Sequence, residues 1–310
     1  MHYDVVIIGG GPAGLSAALT LGRARKRVLL CDAGPRRNAS ATHVHNFVTR
    51  DGTPPDEFRS IGRRQLESYP NVEMQSAHVE AIEGTRGAFQ IHVGSEILQA
   101  RRVLLCMGMI DEMLPVEGFR ELWGQAIFQC PFCHGWEVRD QTWGCLAMNA
   151  MIVPFAIHLR GWTNDVIVFT NGTFDISPED FTKLQACGVR IETRPIARIL
   201  ANGQQMKGVT LTDGSTIPCP VLFAHPPQRQ VDLVYKLGLA LDEHGSIRVD
   251  PMHRETSIPG IYAAGDVMSR MQGAIVAAAA GTHAAATLNH DLTAEMAAQG
   301  LLETTRTSPT

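Results

Sequence analysis

Tyr3-Asp4-Val5-Val6-Ile7-Ile8-Gly9-Gly10-Gly11-Pro12-Ala13-Gly14 opens the chain as a continuous apolar, β-branched run that meets a glycine turn. Residues 15–24 continue with helical periodicity, and Arg27-Val28-Leu29-Leu30-Cys31-Asp32 is a second apolar run. Strands that are apolar without alternation are buried on both faces, so this order predicts a βαβ unit in a parallel sheet with a right-handed crossover. Gly9, Gly11 and Gly14 have the spacing of a dinucleotide turn. Gly9 permits the tight turn, Gly11 lets the backbone approach a pyrophosphate, and Gly14 lets helix and strand pack closely; Pro12 and Ala13 lie on the same ligand-facing turn. Asp32 ends the next strand about twenty residues on, where a carboxylate accepts hydrogen bonds from ribose hydroxyls.

The chain has 310 residues, 45% of them hydrophobic and 19% charged. That length suits two domains of roughly 100 to 200 residues each, and the composition is that of a soluble globular protein. The net charge is −4, and the densest basic run, Arg23-Ala24-Arg25-Lys26-Arg27, is too short to track a phosphate backbone. Nucleic acid is therefore excluded as a partner. The apolar run at residues 5–8 is far shorter than a membrane span and has no basic region before it, so it is a strand, not a signal peptide. A cytoplasmic location is expected.

Further along, the pattern predicts a polar, turn-rich stretch at 34–55, a helix at 57–68, strands around 72–82 and 89–93, and a buried strand through Arg102-Val103-Leu104-Leu105-Cys106-Met107-Gly108. Residues 115–118 read as a linker. Strands at 142–148, 165–169 and 190–193 then alternate with helices at 152–161 and 178–186, and a hairpin turns at Asp213-Gly214. The last ten residues, 301–310, carry no periodic signal. Fold class is thus α/β, with two Rossmann-like, three-layer domains.

The far end of the chain selects the dinucleotide. Thr256-Ser257-Ile258-Pro259-Gly260-Ile261-Tyr262-Ala263-Ala264-Gly265-Asp266 has the pattern of a second flavin fingerprint, with Asp266 toward the ribitol or pyrophosphate. The alanine-rich helix after it, starting near Gln272 and Gly273, aims its N-terminal dipole at the isoalloxazine. Between the two fingerprints lies Cys130-Pro131-Phe132-Cys133-His134. Two cysteines at this spacing form a redox-active dithiol, half of a zinc site, or a structural disulfide. The other five cysteines are scattered singly, and an odd total of seven points to a reducing compartment where a lone pair of this kind is catalytic. No metal is expected.

These motifs together resemble the low-molecular-weight thioredoxin-reductase-like family of FAD disulfide oxidoreductases, including its dithiol oxidase branch, over nearly the whole chain. The resemblance implies a discontinuous FAD-binding domain (1–118 and 246–310), a smaller inserted NAD(P)-binding-like domain (119–245) that carries the dithiol, and a homodimer. It implies that Asn46 reaches the flavin, that the backbone at His78-Val79 lies near the adenine, and that Gly108 lies on the pyrophosphate side. It assigns flavin contact to Cys133 and attack on the external substrate to Cys130.

Two departures set the direction of flux. Family members that use NADPH carry a second glycine-rich turn where this chain has Leu146-Ala147-Met148-Asn149-Ala150-Met151-Ile152-Val153-Pro154, and no arginine cluster follows the next strand at 169–174. Side chains there hold the backbone away from a pyrophosphate and Pro154 lacks a donor, so NADPH in the usual mode is doubtful. His134 stands where thioredoxin reductases carry aspartate, and a histidine can take a thiol proton and return it, with Glu137 three residues on to orient it. His283, on the last helix, is a further candidate toward the flavin. The expected activity is oxidation of a small-molecule dithiol with oxygen as acceptor. The alternatives are reduction of a thioredoxin-like protein, fed by NADPH in another mode or by ferredoxin, and a flavin-binding protein without turnover.

Overall fold

The first strand, His2–Ile8, is almost entirely buried, with Val5 and Ile7 toward one face of its sheet and Val6 and Ile8 toward the other. A computed structural model describes residues 2–301; the expectation for the last ten residues falls outside the described residues from 302 onward. The chain forms two units, one of Met1–Arg37, Asp56–Ile110 and Arg229–Thr310, the other of Asn38–Pro55 and Asp111–Gln228.

In the first unit the strands run in the order Val72–Gln75, Val28–Cys31, His2–Ile8 and Glu96–Leu105, all parallel. Glu96–Leu105 is long enough to pair twice along one edge. Its first half takes the antiparallel strands Ala88–Val93 and Ala81–Thr85, and its second half takes Ile261–Ala263 in parallel. Pro12–Arg23 and the 25-residue helix Ala274–Ala298 cover one face. Alanine, the best helix former, also keeps the seam between them narrow; a Cβ on Gly281 would overlap the Ala13 backbone. Among the described residues, no helix is long and apolar enough to cross a membrane.

The second unit is built on five parallel strands in the order Val189–Glu192, Val166–Phe169, Trp143–Leu146, Val221–Ala224 and Ile127–Phe128. The helices Ile152–Leu159 and Pro178–Ala186 alternate with them. A three-stranded antiparallel sheet, Ile196–Asn202, Gln205–Leu211 and Thr216–Pro218, adds the expected hairpin. The fold class is therefore the α/β class with parallel sheets read from the sequence.

The chain passes between these units at 110/111 and 228/229, somewhat earlier than the 118/119 and 245/246 expected from the sequence. Burial decides this. Leu233, Val234 and Leu239 are in the core of the first unit, and Leu114 and Phe119 in that of the second. Residues 115–118 are not a linker, since the Ile199 amide donates to the Glu117 carbonyl across 2.8 Å. The polar loop 38–55 also joins the second unit, where the Gln125 side chain donates to the Ser40 carbonyl.

Candidate functional site

In the first unit, the strands ending at Ile8, Leu105 and Ala263 stop beside one another and the chain turns away in glycine. The turns are tied by backbone bonds from Gly9 to Cys31, Cys106 to Ile8 and Ala264 to Leu105 of 2.8, 2.8 and 2.9 Å. Gly9 has φ +108°, a left-handed conformation that only glycine adopts freely. A Cβ on Gly14 would overlap the Gly9 carbonyl oxygen. Gly11 differs, since its φ is −78° and an added Cβ would meet nothing within 4 Å. Packing demands two of the three glycines, while the third faces open space.

That space lies at the start of Pro12–Arg23, which has no side-chain cap and no acidic residue in its first turn. Its first N–H groups and dipole are therefore available to an anion. Gly265, at φ +84°, brings the second fingerprint to the same place, an added Cβ lying 3.0 Å from Ala13 and 3.7 Å from Ala277. Asp266 follows, and its Oδ2 accepts from Arg37 Nη1 at 2.8 Å, while Arg37 also donates to Gln272 Oε1 at 2.7 Å. Gly273 then leads, uncapped, into Ala274–Ala298. Arg37 escaped the sequence reading because its partners lie more than 220 residues away, though Pro35-Arg36-Arg37 in a loop after a nucleotide turn was a usable signal.

Asp32 is buried and its carboxylate is not idle. Oδ1 accepts from the Gly34 amide at 3.3 Å and Oδ2 from Arg63 at 2.7 Å and from Arg59. Burial alone would raise its pKa, but the Arg59 charge, the Gly34 amide and the two arginine hydrogen bonds outweigh it and hold the carboxyl below its ordinary value. A carboxylate offers about four lone-pair positions, so about one remains for a ribose hydroxyl. Gly108 follows a buried strand at φ +71° with open space around it. The Val79 side chain is in the core, so only its backbone can face a ligand. Glycines open where a pyrophosphate would lie, two uncapped helix starts and an aspartate at the second fingerprint fit an FAD.

In the second unit, Ile127–Phe128 leads through Gln129 to Cys130, which precedes the single helical turn Pro131–His134. Proline suits the first helical position, where no N–H partner is needed. A Cβ on Gly135 would run into the Pro131 carbonyl, Trp162 and Trp143, so the turn sits directly on aromatic rings. Neither cysteine is in a disulfide, and both are half-buried. A hydrogen bond from the Cys133 thiol lowers the Cys130 pKa to about 7; burial opposes this, and the backbone amides of Cys133 and Phe132 assist it. Burial pushes Cys31, Cys106, Cys145 and Cys219 upward, which marks them as inert packing residues. Among the described residues, no cluster of His, Cys, Asp or Glu could hold a metal.

His134 adjoins Cys133, its ring stacked on Phe128 at 4.5 Å and 22°. Burial, and secondarily repulsion from His45, lower its pKa to about 4, so the ring is neutral at pH 7 and able to accept a proton. Glu137 does not orient it; that carboxylate lies 3.6 Å from His45 Nε2. Asn46 stands on the same loop with φ +58°, its amide donating to Asp51 Oδ1 at 2.8 Å. His283 is taken up by structure instead, bonded through Nδ1 to Arg254 and through Nε2 to the Met252 carbonyl. Phe132, between the cysteines, is 60% exposed and braced edge-on against Trp162 at 5.3 Å.

The glycine-free turn before Ile152–Leu159 consumes its own donors. The Met151 amide is bonded to the Asn149 side chain at 3.0 Å, those of Ile152 and Val153 to the carbonyls of Asn149 and Ala150, and Pro154 has none. Met148 and Met151 project from the same turn, partly exposed. Arg194, beyond the next strand pair, is already bound to Glu192 and Asp213.

A family model described as pyridine nucleotide-disulphide oxidoreductase matches residues 3–153 and 175–281. Thioredoxin reductase sirT of Leptosphaeria maculans is 32% identical, over 97% of this chain and 98% of its own length. Thioredoxin reductase tcpT of Claviceps purpurea is 31% identical over 85% and 86%. The crystal structure of an oxidoreductase from Agrobacterium tumefaciens superimposes with a TM-score of 0.89 at 39% identity, covering 94% of this chain and 99% of that one.

Proposed function

The chain belongs to the pyridine nucleotide-disulphide oxidoreductase family, among its thioredoxin-reductase-like flavoenzymes acting on sulfur groups, and we propose that within it this enzyme oxidises a dithiol to a disulfide through Cys130 and Cys133. Family membership implies FAD. We assign its site to the first unit, with Gly9, Gly11, Pro12, Ala13, Gly14 and Asp32 on the adenosine and pyrophosphate side and Gly265, Asp266, Gln272 and Gly273 toward the ring. Gly108 and the Val79 backbone complete that set. The second unit is then the inserted NAD(P)-binding-like domain.

In the oxidised enzyme a substrate thiolate attacks Cys130 Sγ, the protein S–S bond breaks, and Cys133 leaves as thiolate. The second substrate thiol attacks the substrate sulfur of the mixed disulfide and expels Cys130. A thiol with a pKa of about 7 leaves readily, which suits Cys130 to this end of the exchange. The two substrate protons finish on the cysteine pair, one passing by way of His134 Nδ1 or Nε2. The FAD held in the first unit would supply the two-electron acceptor for the reduced pair, and oxygen is the proposed final acceptor.

The observation that supports the direction is the second turn, where the amides of Met151, Ile152 and Val153 are bonded to Asn149 and Ala150 and Pro154 has none, which leaves a nicotinamide dinucleotide few donors there. The names of the relatives favour a second reading, reduction of a thioredoxin-like protein. The test is anaerobic: a small dithiol bleaches the flavin of the oxidase within seconds and NADPH does not. Rapid bleaching by NADPH would reverse the assignment. A homodimer and a cytoplasmic location belong to the same proposal; sedimentation of the flavin-loaded protein decides the first.

A further inference from the structure

Within the first unit, the Asp32 carboxylate lies against the glycine turn that opens the chain: a Cβ on Gly10 would come within 2.6 Å of Oδ2. Two arginines close on that same oxygen. Both stand on the helix Pro55–Leu66, one turn apart; Arg63 Nη2 donates to Oδ2 at 2.7 Å, and Arg59 Nη2 donates to it as well. Arg59 is fixed further through Nη1, which donates to the Gly34 carbonyl at 3.1 Å. Asp56, three residues before Arg59, does not compete for it, since Arg36 grips both Asp56 oxygens at 2.8 and 3.0 Å. Oδ1 of Asp32 is the less occupied oxygen, with the Gly34 amide on it at 3.3 Å. Stability alone does not explain this arrangement, because Arg59 Nε is buried and meets no acceptor among the described residues, which costs folding free energy.

We propose that Arg59 and Arg63 are positioning residues that close Oδ2, so that the adenosine half of FAD is held at Asp32 through one ribose hydroxyl, on Oδ1, while the neighbouring hydroxyl goes unread. The inference rests on the adenosine site assigned to Asp32 above. A carboxylate oxygen has two lone pairs. Oδ2 gives both to guanidinium groups, whereas Oδ1 gives one to Gly34 and keeps one. A ribose offers two adjacent donors, the 2′ and 3′ hydroxyls, and a single free acceptor position takes only one of them. The arginines also keep the carboxyl ionised, and an ionised carboxylate can only accept, so the bond runs from the ribose to Oδ1.

The experiment titrates the full-length chain, freed of flavin, with FAD and with its 2′-deoxyadenosine and 3′-deoxyadenosine analogues in a calorimeter. One analogue binds roughly tenfold or more weakly than FAD, having lost the donor to a charged oxygen, and the other binds within about threefold of it. In Arg63→Met, Oδ2 regains an acceptor position, so the second analogue also falls behind FAD, by roughly fivefold. Arg63→Lys restores a donor and returns that ratio to the wild-type value. A merely structural role for Arg63 would lower the melting temperature of the apoprotein and weaken all three ligands together; unchanged ratios in Arg63→Met therefore overturn the proposal. Equal losses with the two analogues in the wild-type chain overturn it too, while leaving the adenosine at Asp32. If neither analogue differs from FAD in the wild-type chain and Asp32→Asn leaves FAD affinity unmoved, the adenosine is not at Asp32, and the proposal falls together with that assignment.

Discussion

Replacing Gly11 by alanine separates the fold from the cofactor, because this glycine is required by neither packing nor backbone. Its φ of −78° suits any residue, and a Cβ would meet nothing within 4 Å. Loss of a permissive cap costs about 0.5–1 kcal/mol, and the smaller entropy of the unfolded chain returns about 0.4–1 kcal/mol, so the net change in the apoprotein is close to zero. Binding is another matter. The new methyl stands where a pyrophosphate approaches the helix start, and losing one charge-assisted backbone hydrogen bond costs about 1.5–3 kcal/mol, or roughly 10- to 150-fold in Kd. Stability gained from FAD falls by about 1.4 kcal/mol for each tenfold lost. Thermal melts of the apoprotein with and without FAD, together with a fluorescence titration, measure both quantities. Gly14→Ala is the contrast, since its Cβ overlaps the Gly9 carbonyl oxygen and the apoprotein itself suffers, by about 1–3 kcal/mol or more. A Gly11→Ala protein that binds FAD within threefold of wild type would refute the reasoning.

Cys133→Ala removes the hydrogen bond that lowers Cys130, so the Cys130 midpoint, followed by alkylation rate against pH, rises from about 7 toward the ordinary thiol value of about 8.5; an unmoved midpoint refutes the assigned cause. Arg102, its side chain fully buried, pairs with Asp291 and Glu295 at 3.0 and 2.6 Å, and Arg102→Met leaves two carboxylates without it at a cost of about 3–5 kcal/mol, read from denaturant melts. Burial opposes ionisation of Asp291, but Tyr262 and Arg102 outweigh it; the Arg102 hydrogen bond leads in lowering Glu295. Depressed carboxylates stabilise above their unfolded pKa, so this contribution is present at pH 7 and lost below about pH 4, and Arg102→Met flattens that limb of the Tm profile. Arg37→Ala removes the bridge from Asp266 to Gln272 and is expected to weaken FAD by roughly tenfold, as calorimetry would show; unchanged affinity argues that Arg37 serves the apoprotein alone.

Local rules made much of this molecule legible. The apolar runs around Val6, Leu29, Leu104 and Ile261 became parallel strands because burial on both faces leaves no alternation. The glycines at 9 and 14 are where they are because of backbone overlap within one turn, which a short sequence window contains. Long-range encounters were not legible. Residues 229–245 look like any segment, and only the burial of Leu233 and Val234 assigns them to the first unit. The Arg59 and Arg63 side chains reach Asp32 from a helix that the sequence located without giving its direction. Glu137 was paired with His134 on spacing alone, whereas the fold offers it His45.

The sequence by itself determined the two nucleotide-type folds, the dithiol and the missing second glycine turn, since each depends on residues within a few positions of one another. Only the tertiary structure decided the surroundings of the dithiol, because the proton affinity of His134 depends first on its burial, where it packs against Phe128, and then on a ring from a loop some ninety residues earlier.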